Sequence, residues 1–144
     1  MNKIYFVIAF VVISFGAFLT ECYSQSALQI YGGKDHDVYL GCLNCSAYDQ
    51  SSIWNEYGKF GSSHSASSIW NDYSLYGSEY GAYSPFNSYA SNPPVIVNSN
   101  GEFFGYFTIN EYHNKRADFS LVLTLYKYHN SIREDVSGWY DKIF

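Results

Sequence analysis

The chain has 144 residues with 13 acidic and 8 basic side chains, a formal charge of −5, 21% aromatic residues and only 15% charged ones. Its bases are scattered (Lys34, Lys59, Lys115, Arg116, Lys127, Arg133, Lys142), so there is no basic patch to meet a phosphate backbone and nucleic acid is excluded as the expected partner. The length suits one modest domain with a single core.

The first 24 residues read as an export signal. Lys3 provides the basic start, and Ile4 to Leu19 is an apolar run too short for a comfortable membrane span. Small residues place the cleavage site after Ser24, which leaves a mature domain of residues 25–144. A retained membrane anchor and a lipid anchor at Cys22 are the competing readings. Glu21 opposes the second, because a small residue should precede a lipidated cysteine. The expected destination is the periplasm, the cell surface or the medium, with membrane contact only through the leader.

Residues 25–46 predict a hairpin. Gln29–Tyr31 and Val38–Leu43 are strand-like and are joined by Gly32-Gly33-Lys34-Asp35-His36-Asp37, which is turn chemistry. Cys42 and Cys45 follow, an even pair once the leader is gone, and an exported even pair is first a disulfide candidate.

Residues 47–92 hold an internal repeat. Ser51-Ser52-Ile53-Trp54-Asn55-Glu56-Tyr57 recurs sixteen residues later as Ser67-Ser68-Ile69-Trp70-Asn71-Asp72-Tyr73 and fades into Tyr83-Ser84-Pro85-Phe86-Asn87-Ser88-Tyr89. Such copies bury their apolar faces against one another. Rings recur every three residues with an occasional four, a helical spacing. One long helix is costly, because Gly58, Gly61, Gly77 and Gly81 each cost about 1 kcal/mol inside it. The expectation is one short helical turn per copy, capped by Ser51 or Ser52 and released at Gly58. A disordered polar–aromatic tract is the alternative.

Residues 93–110 predict a second hairpin: Pro93-Pro94, a strand from Val95 to Val97, the turn Asn98-Ser99-Asn100-Gly101, and a return strand from Glu102 to Ile109. Residues 111–144 predict a C-terminal helix on the stripe Leu121, Leu125, Tyr128, Ile132 and Val136, capped by Asp118 or Ser120 and ending at Ser137-Gly138. The fold expectation is therefore α+β: a small antiparallel sheet of two hairpins, an aromatic repeat block of short helical turns, and a C-terminal helix.

The segments Tyr31-Gly32-Gly33-Lys34, Tyr39-Leu40-Gly41-Cys42-Leu43-Asn44-Cys45-Ser46, the tandem Ser-Ile-Trp-Asn-x-Tyr copies and Pro93-Pro94-Val95-Ile96-Val97 resemble, over roughly residues 28 to 110, a set of uncharacterised exported bacterial proteins. Those commonly carry Tyr-Gly-x-Tyr-Gly-Ser after each copy. This chain departs with Ser74 in place of Gly and His64 in place of Tyr. The resemblance implies a bacterial, exported protein and brings no functional residue with it.

Three chemistries compete. The first is a non-catalytic binding or structural module of the bacterial envelope, with contacts through Trp54, Asn55, Tyr57, Trp70, Asn71, Tyr73 and Tyr76. Rings and amides together suit a protein or envelope partner or a carbohydrate face. In the competing structural reading each Asn closes its own turn and the rings fill the core. The second is a zinc site using Cys42 and Cys45, completed by His64 and His113. The third is a secreted hydrolase with Glu56 and Asp72 flanking a scissile bond. Two carboxylates in similar repeat environments are poorly suited to opposite acid and base roles. His36 between Asp35 and Asp37 reads as a solvated turn, and His129 as a surface residue of the last helix.

Overall fold

A computed structural model of the chain describes residues 25–144; the expected leader lies outside them. Two hairpins form one sheet. Strands β1 (Leu28–Gly32) and β2 (Val38–Cys42) make the first, and β3 (Val95–Asn98) and β4 (Phe103–Tyr106) the second. β1 and β3 pair antiparallel at the centre, giving the order β2-β1-β3-β4. The second hairpin turns where Asn-Gly predicts it, with the Asn98 side chain accepting from the N–H groups of Asn100 and Glu102. Alternation along β1 and β3 sends Leu28, Ile30 and Ile96 to the inner face.

Two helices follow the sheet in sequence, α1 (Ser120–Glu134) and α2 (Val136–Ile143). Neither Asp118 nor Ser120 caps α1; Phe119 takes the cap position and its side chain makes no cap bond. The buried face is Val122, Leu125, Tyr126 and Ile132, so Tyr128 of the expected stripe turns outward. Ser137 and Gly138 do not end the helix. The chain breaks at Asp135, whose carboxylate accepts from the Gly138 N–H and opens α2. The α+β class is as expected.

Between sheet and helices lies the repeat block, and its local structure differs from the single helical turn expected per copy. It is a run of β-turns. The N–H of each turn's last residue meets the carbonyl three residues back, at Ser46–Asp49, Asp49–Ser52, Ser52–Asn55 and Asn55–Gly58. The run resumes at Ser62 and again at Ser78, after a four-residue step at Gly58–Ser62 and at Ser74–Ser78. Steps of three with an occasional four are thus turn spacing, not helix spacing. At most turns a Ser or Asn opens the step, and its side-chain oxygen takes the N–H two residues on. Ser52, Ser68 and Ser84 accept from Trp54, Trp70 and Phe86, and Asn55, Asn71 and Asn87 accept from Tyr57, Tyr73 and Tyr89. Each of those Asn amides also donates to a carbonyl six residues back, on Asp49, Ser65 and Gly81.

The copies lie side by side through their rings. Trp54 and Trp70, and then Trp70 and Phe86, have ring centroids 5.8 Å apart, and Phe107 follows Phe86 at 6.0 Å. Each indole N–H donates at 2.7 Å to a carbonyl of the preceding layer: Trp54 to Leu43, Trp70 to Ile53. Gly61 and Gly77 explain the recurring Phe/Tyr-Gly-Ser, since a Cβ there would stand 2.0 Å from the Asn55 carbonyl oxygen and 2.3 Å from that of Asn71. Ser74, which replaces the glycine of the first copy, is buried and donates to the Ser68 carbonyl instead.

Asn71→Ala removes both bonds its amide makes and leaves the Ser65 carbonyl and the Tyr73 N–H without those partners. We expect a loss of about 2 kcal/mol in urea unfolding. An unchanged midpoint would mean these turns hold without their amides.

Candidate functional site

The same six positions of each copy line a cleft. In the first copy they are Ala47, Tyr48, Trp54, Asn55, Glu56 and Tyr57; in the second Ser63, His64, Trp70, Asn71, Asp72 and Tyr73; in the third Glu79, Tyr80, Phe86, Asn87, Ser88 and Tyr89. A helical wall closes each cleft. Ser137, Tyr140 and Asp141 close the first, Asn130, Arg133 and Glu134 the second, and His129 with Asn130 the third. The second cleft encloses about 630 Å³ and the other two about 250 and 330 Å³. A further opening bounded by Tyr73, Tyr80, Asn130 and Arg133 runs between the second and third. Clefts of roughly 300–1,000 Å³ are the usual scale of small-ligand sites.

Turn geometry decides which rings face out. Every ring here sits at the third residue of a turn. Those after Ser52, Ser68 and Ser84 point into the core, while those after Asn55, Asn71 and Asn87 point away from it. Tyr48 and Tyr80, in turns opened by Ser46 and Ser78, face out as well, and Tyr48, Tyr57, Tyr73, Tyr80 and Tyr89 are 90–97% exposed. They form two rows sixteen residues apart in sequence, Tyr57–Tyr73–Tyr89 and Tyr48–His64–Tyr80, with the clefts between them.

The wall is pinned mainly by Arg133. Its guanidinium donates to the carbonyls of Trp70 (3.0 Å) and Gly77 (2.9 Å) and to Asn130 Oδ1 (3.0 Å), and it pairs with Asp72. Glu56, one copy earlier, accepts from Ser137 of α2 at 3.3 Å. The two repeat acids, which a hydrolase reading would pair, thus each hold a copy against a different helix.

The sequence-derived binding residues separate into two groups. Trp54 and Trp70 are fully buried, and the amides of Asn55 and Asn71 are occupied by backbone bonds. Tyr57 and Tyr73 stand on the surface, and Tyr76 is half-buried, 6.1 Å from the Tyr83 ring and away from the clefts. The zinc arrangement is not formed. Cys42 and Cys45 are bonded to each other, S–S 1.98 Å, and so offer no thiolates. Among the described residues no three His, Cys, Asp or Glu side chains gather as a metal set. His64 lines the second cleft, whereas His113 packs on Tyr106 at 4.7 Å and bonds the Asn114 carbonyl. His36 bonds the Pro93 carbonyl.

His129 is not the plain surface residue expected. Its ring stacks on Phe86 at 4.4 Å and 5°, and its Nδ1 lies 2.9 Å from the Tyr126 carbonyl, which fixes the proton on Nδ1. Burial holds its pKa below the ordinary 6.5, and Arg133 pushes the same way; the Tyr126 bond opposes both without cancelling them. Tyr126 itself, buried between Thr108 and Ala117, is pushed up to about 12, chiefly by desolvation.

The sequence reading also missed a further copy. Thr108-Ile109-Asn110-Glu111-Tyr112 matches Ser52-Ile53-Trp54-Asn55-Glu56-Tyr57 with the Trp deleted. Thr108 and Asn110 make the same side-chain turns, Ile109 bonds the Pro85 carbonyl, and Tyr112 stands exposed. A search for Ser/Thr-Ile followed by Asn-acid-Tyr, allowing one deletion, would have found it.

Comparisons with models of known protein families, with curated proteins and with solved structures find no match to this chain.

Two measurements follow. The disulfide closes a very short loop, so reducing it should lower stability by about 2 kcal/mol on loop entropy alone. The 25–144 chain should show no free thiol before reduction and two after it; free thiols in oxidised protein would contradict the bond. For His129, the depressed pKa means that the unfolded chain binds the proton first as pH falls. The stability this group contributes is therefore present above about pH 6.5 and is lost as pH drops through its folded value. The urea midpoint should fall between about pH 7.5 and pH 5, with a shallower fall in His129→Gln; parallel profiles would remove His129 as the cause.

Proposed function

We infer that this chain is an exported, non-catalytic binding module of the bacterial cell envelope, and that it touches its partner through the tyrosine rows that wall the clefts. One observation carries the reading: five large, uncharged rings stand almost wholly in solvent beside a core that already has its aromatic filling. A monomer gains nothing from leaving such rings in regular rows, and exposed apolar surface of this kind marks contact sites. Tyrosine suits the task because it brings a large rigid area with few rotamers to freeze and a hydroxyl that stays wet.

The acids of the copies support a binding reading over a hydrolytic one, since Glu56 and Asp72 are spent on the helices. Export is supported by the basic-then-apolar start of the sequence and by the disulfide, which persists in oxidising compartments.

The test is co-sedimentation of the purified protein with washed bacterial envelope fragments. Tyr57→Ala with Tyr73→Ala should weaken the apparent affinity about a hundredfold, the effect of losing two ring contacts at about tenfold each. Lys34→Ala with Lys127→Ala should leave it unchanged. Arg116 is unsuitable as a control, because it bonds the Thr108 carbonyl and lies on the Tyr126 ring. Equal loss in both pairs, or in neither, would count against tyrosine-mediated contact.

A further inference from the structure

We propose that the three clefts act as consecutive subsites for one chain of a linear, neutral polysaccharide; this rests on the contact surface inferred above and names what occupies it. Periodicity is the first argument. Residues at positions 48, 57 and their equivalents sixteen and thirty-two residues on wall three clefts in a row, and the core rings beneath repeat at 5.8 Å. A lattice of equivalent contacts fits a ligand that itself repeats, and a linear glycan repeats one ring after another.

The chemistry of the walls and floor is the second argument. Tyr48, Tyr57, Tyr73, Tyr80 and Tyr89 offer exposed ring faces, the surface on which the C–H face of a sugar packs. On the helical side the Asn130 Nδ2 group offers donors and the Ser137 oxygen an acceptor for sugar hydroxyls, while Arg133 holds the wall in place. Arg133 is neutralised by Asp72, and Glu56, Glu79, Glu134 and Asp141 remain along the clefts. That leaves the line of clefts acidic, which repels uronate- or phosphate-bearing chains and selects an uncharged one.

A peptide is the less suitable occupant. It would need a free strand edge or deep apolar pockets for its side chains. The sheet edges belong to β2 and β4, which do not line the clefts, and the clefts are open and mixed in polarity, not deep apolar pockets.

The experiment is calorimetric titration of the protein with cellohexaose, laminarihexaose, maltohexaose and N-acetylchitohexaose, together with their disaccharides and polygalacturonate. At least one neutral hexaose should bind, more tightly than its disaccharide, while polygalacturonate does not. Tyr73→Ala and Tyr80→Ala should each weaken that binding about tenfold, the loss of one aromatic contact. Tyr112→Ala, equally exposed but outside the clefts, should change it by less than about twofold. Circular dichroism on each variant separates lost contact from lost fold, and His64→Tyr replaces the imidazole in the middle cleft with a larger ring and should tighten binding without touching the core. No binding by any hexaose, binding indifferent to chain length, or equal loss in Tyr112→Ala would overturn the proposal. If envelope fragments are still held through Tyr57 and Tyr73 while no hexaose binds, the polysaccharide is wrong and the tyrosine surface stands.

Discussion

The rest of the structure depends on the indole column. A chain of β-turns has few long-range backbone bonds of its own, because the bond that closes each turn runs from its last N–H to the carbonyl three residues back. What joins one copy to the next is therefore side-chain packing: Trp54 on Trp70 on Phe86, with each indole N–H reaching a carbonyl of the preceding layer. A buried indole must place its N–H, and a turn carbonyl facing inward must be satisfied. One bond meets both needs and fixes the register between layers.

Such a column has two ends, and each is closed by ordinary secondary structure. The first layer meets β2, where Cys42 and Ser52 bridge, and Trp54 bonds the Leu43 carbonyl. The last meets Phe107 and the Thr108–Tyr112 segment that follows β4. The helices close the side, and Arg133 joins them to the second copy through two carbonyls and Asp72. An acid that repeats in sequence thereby acquires different partners, Ser137 for Glu56 and Arg133 for Asp72, because the helices break at Asp135 and present different residues to each layer.

That arrangement also produces the candidate site. The turns opened by Ser52, Ser68 and Ser84 carry their rings inward, and those opened by Ser46, Ser78, Asn55, Asn71 and Asn87 carry theirs outward, so position within the sixteen-residue period, not the opening residue, separates the core from the tyrosine rows. The clefts are then the spaces left between outward rows and the helical wall. Core and exposed surface share the same repeat without sharing the same residues: Trp54, Trp70, Asn55 and Asn71 hold the fold, and Tyr57 and Tyr73 face the solvent.

Much of this was legible in the residues alone. The two hairpins, their Asn-Gly turn, the cysteine pair and the sixteen-residue period are local signals, set by backbone preferences within a few positions, and a sequence states those directly. The three-residue ring spacing was visible too, but spacing alone does not separate a helix from a run of turns; the side-chain bonds of Ser and Asn decide it. The inward or outward sense of each ring, the stacking of His129 on Phe86 and the grip of Arg133 on Trp70 join residues that are far apart in the chain. Such contacts follow from how layers pack, and packing is a property of the whole surface that no short window of sequence contains.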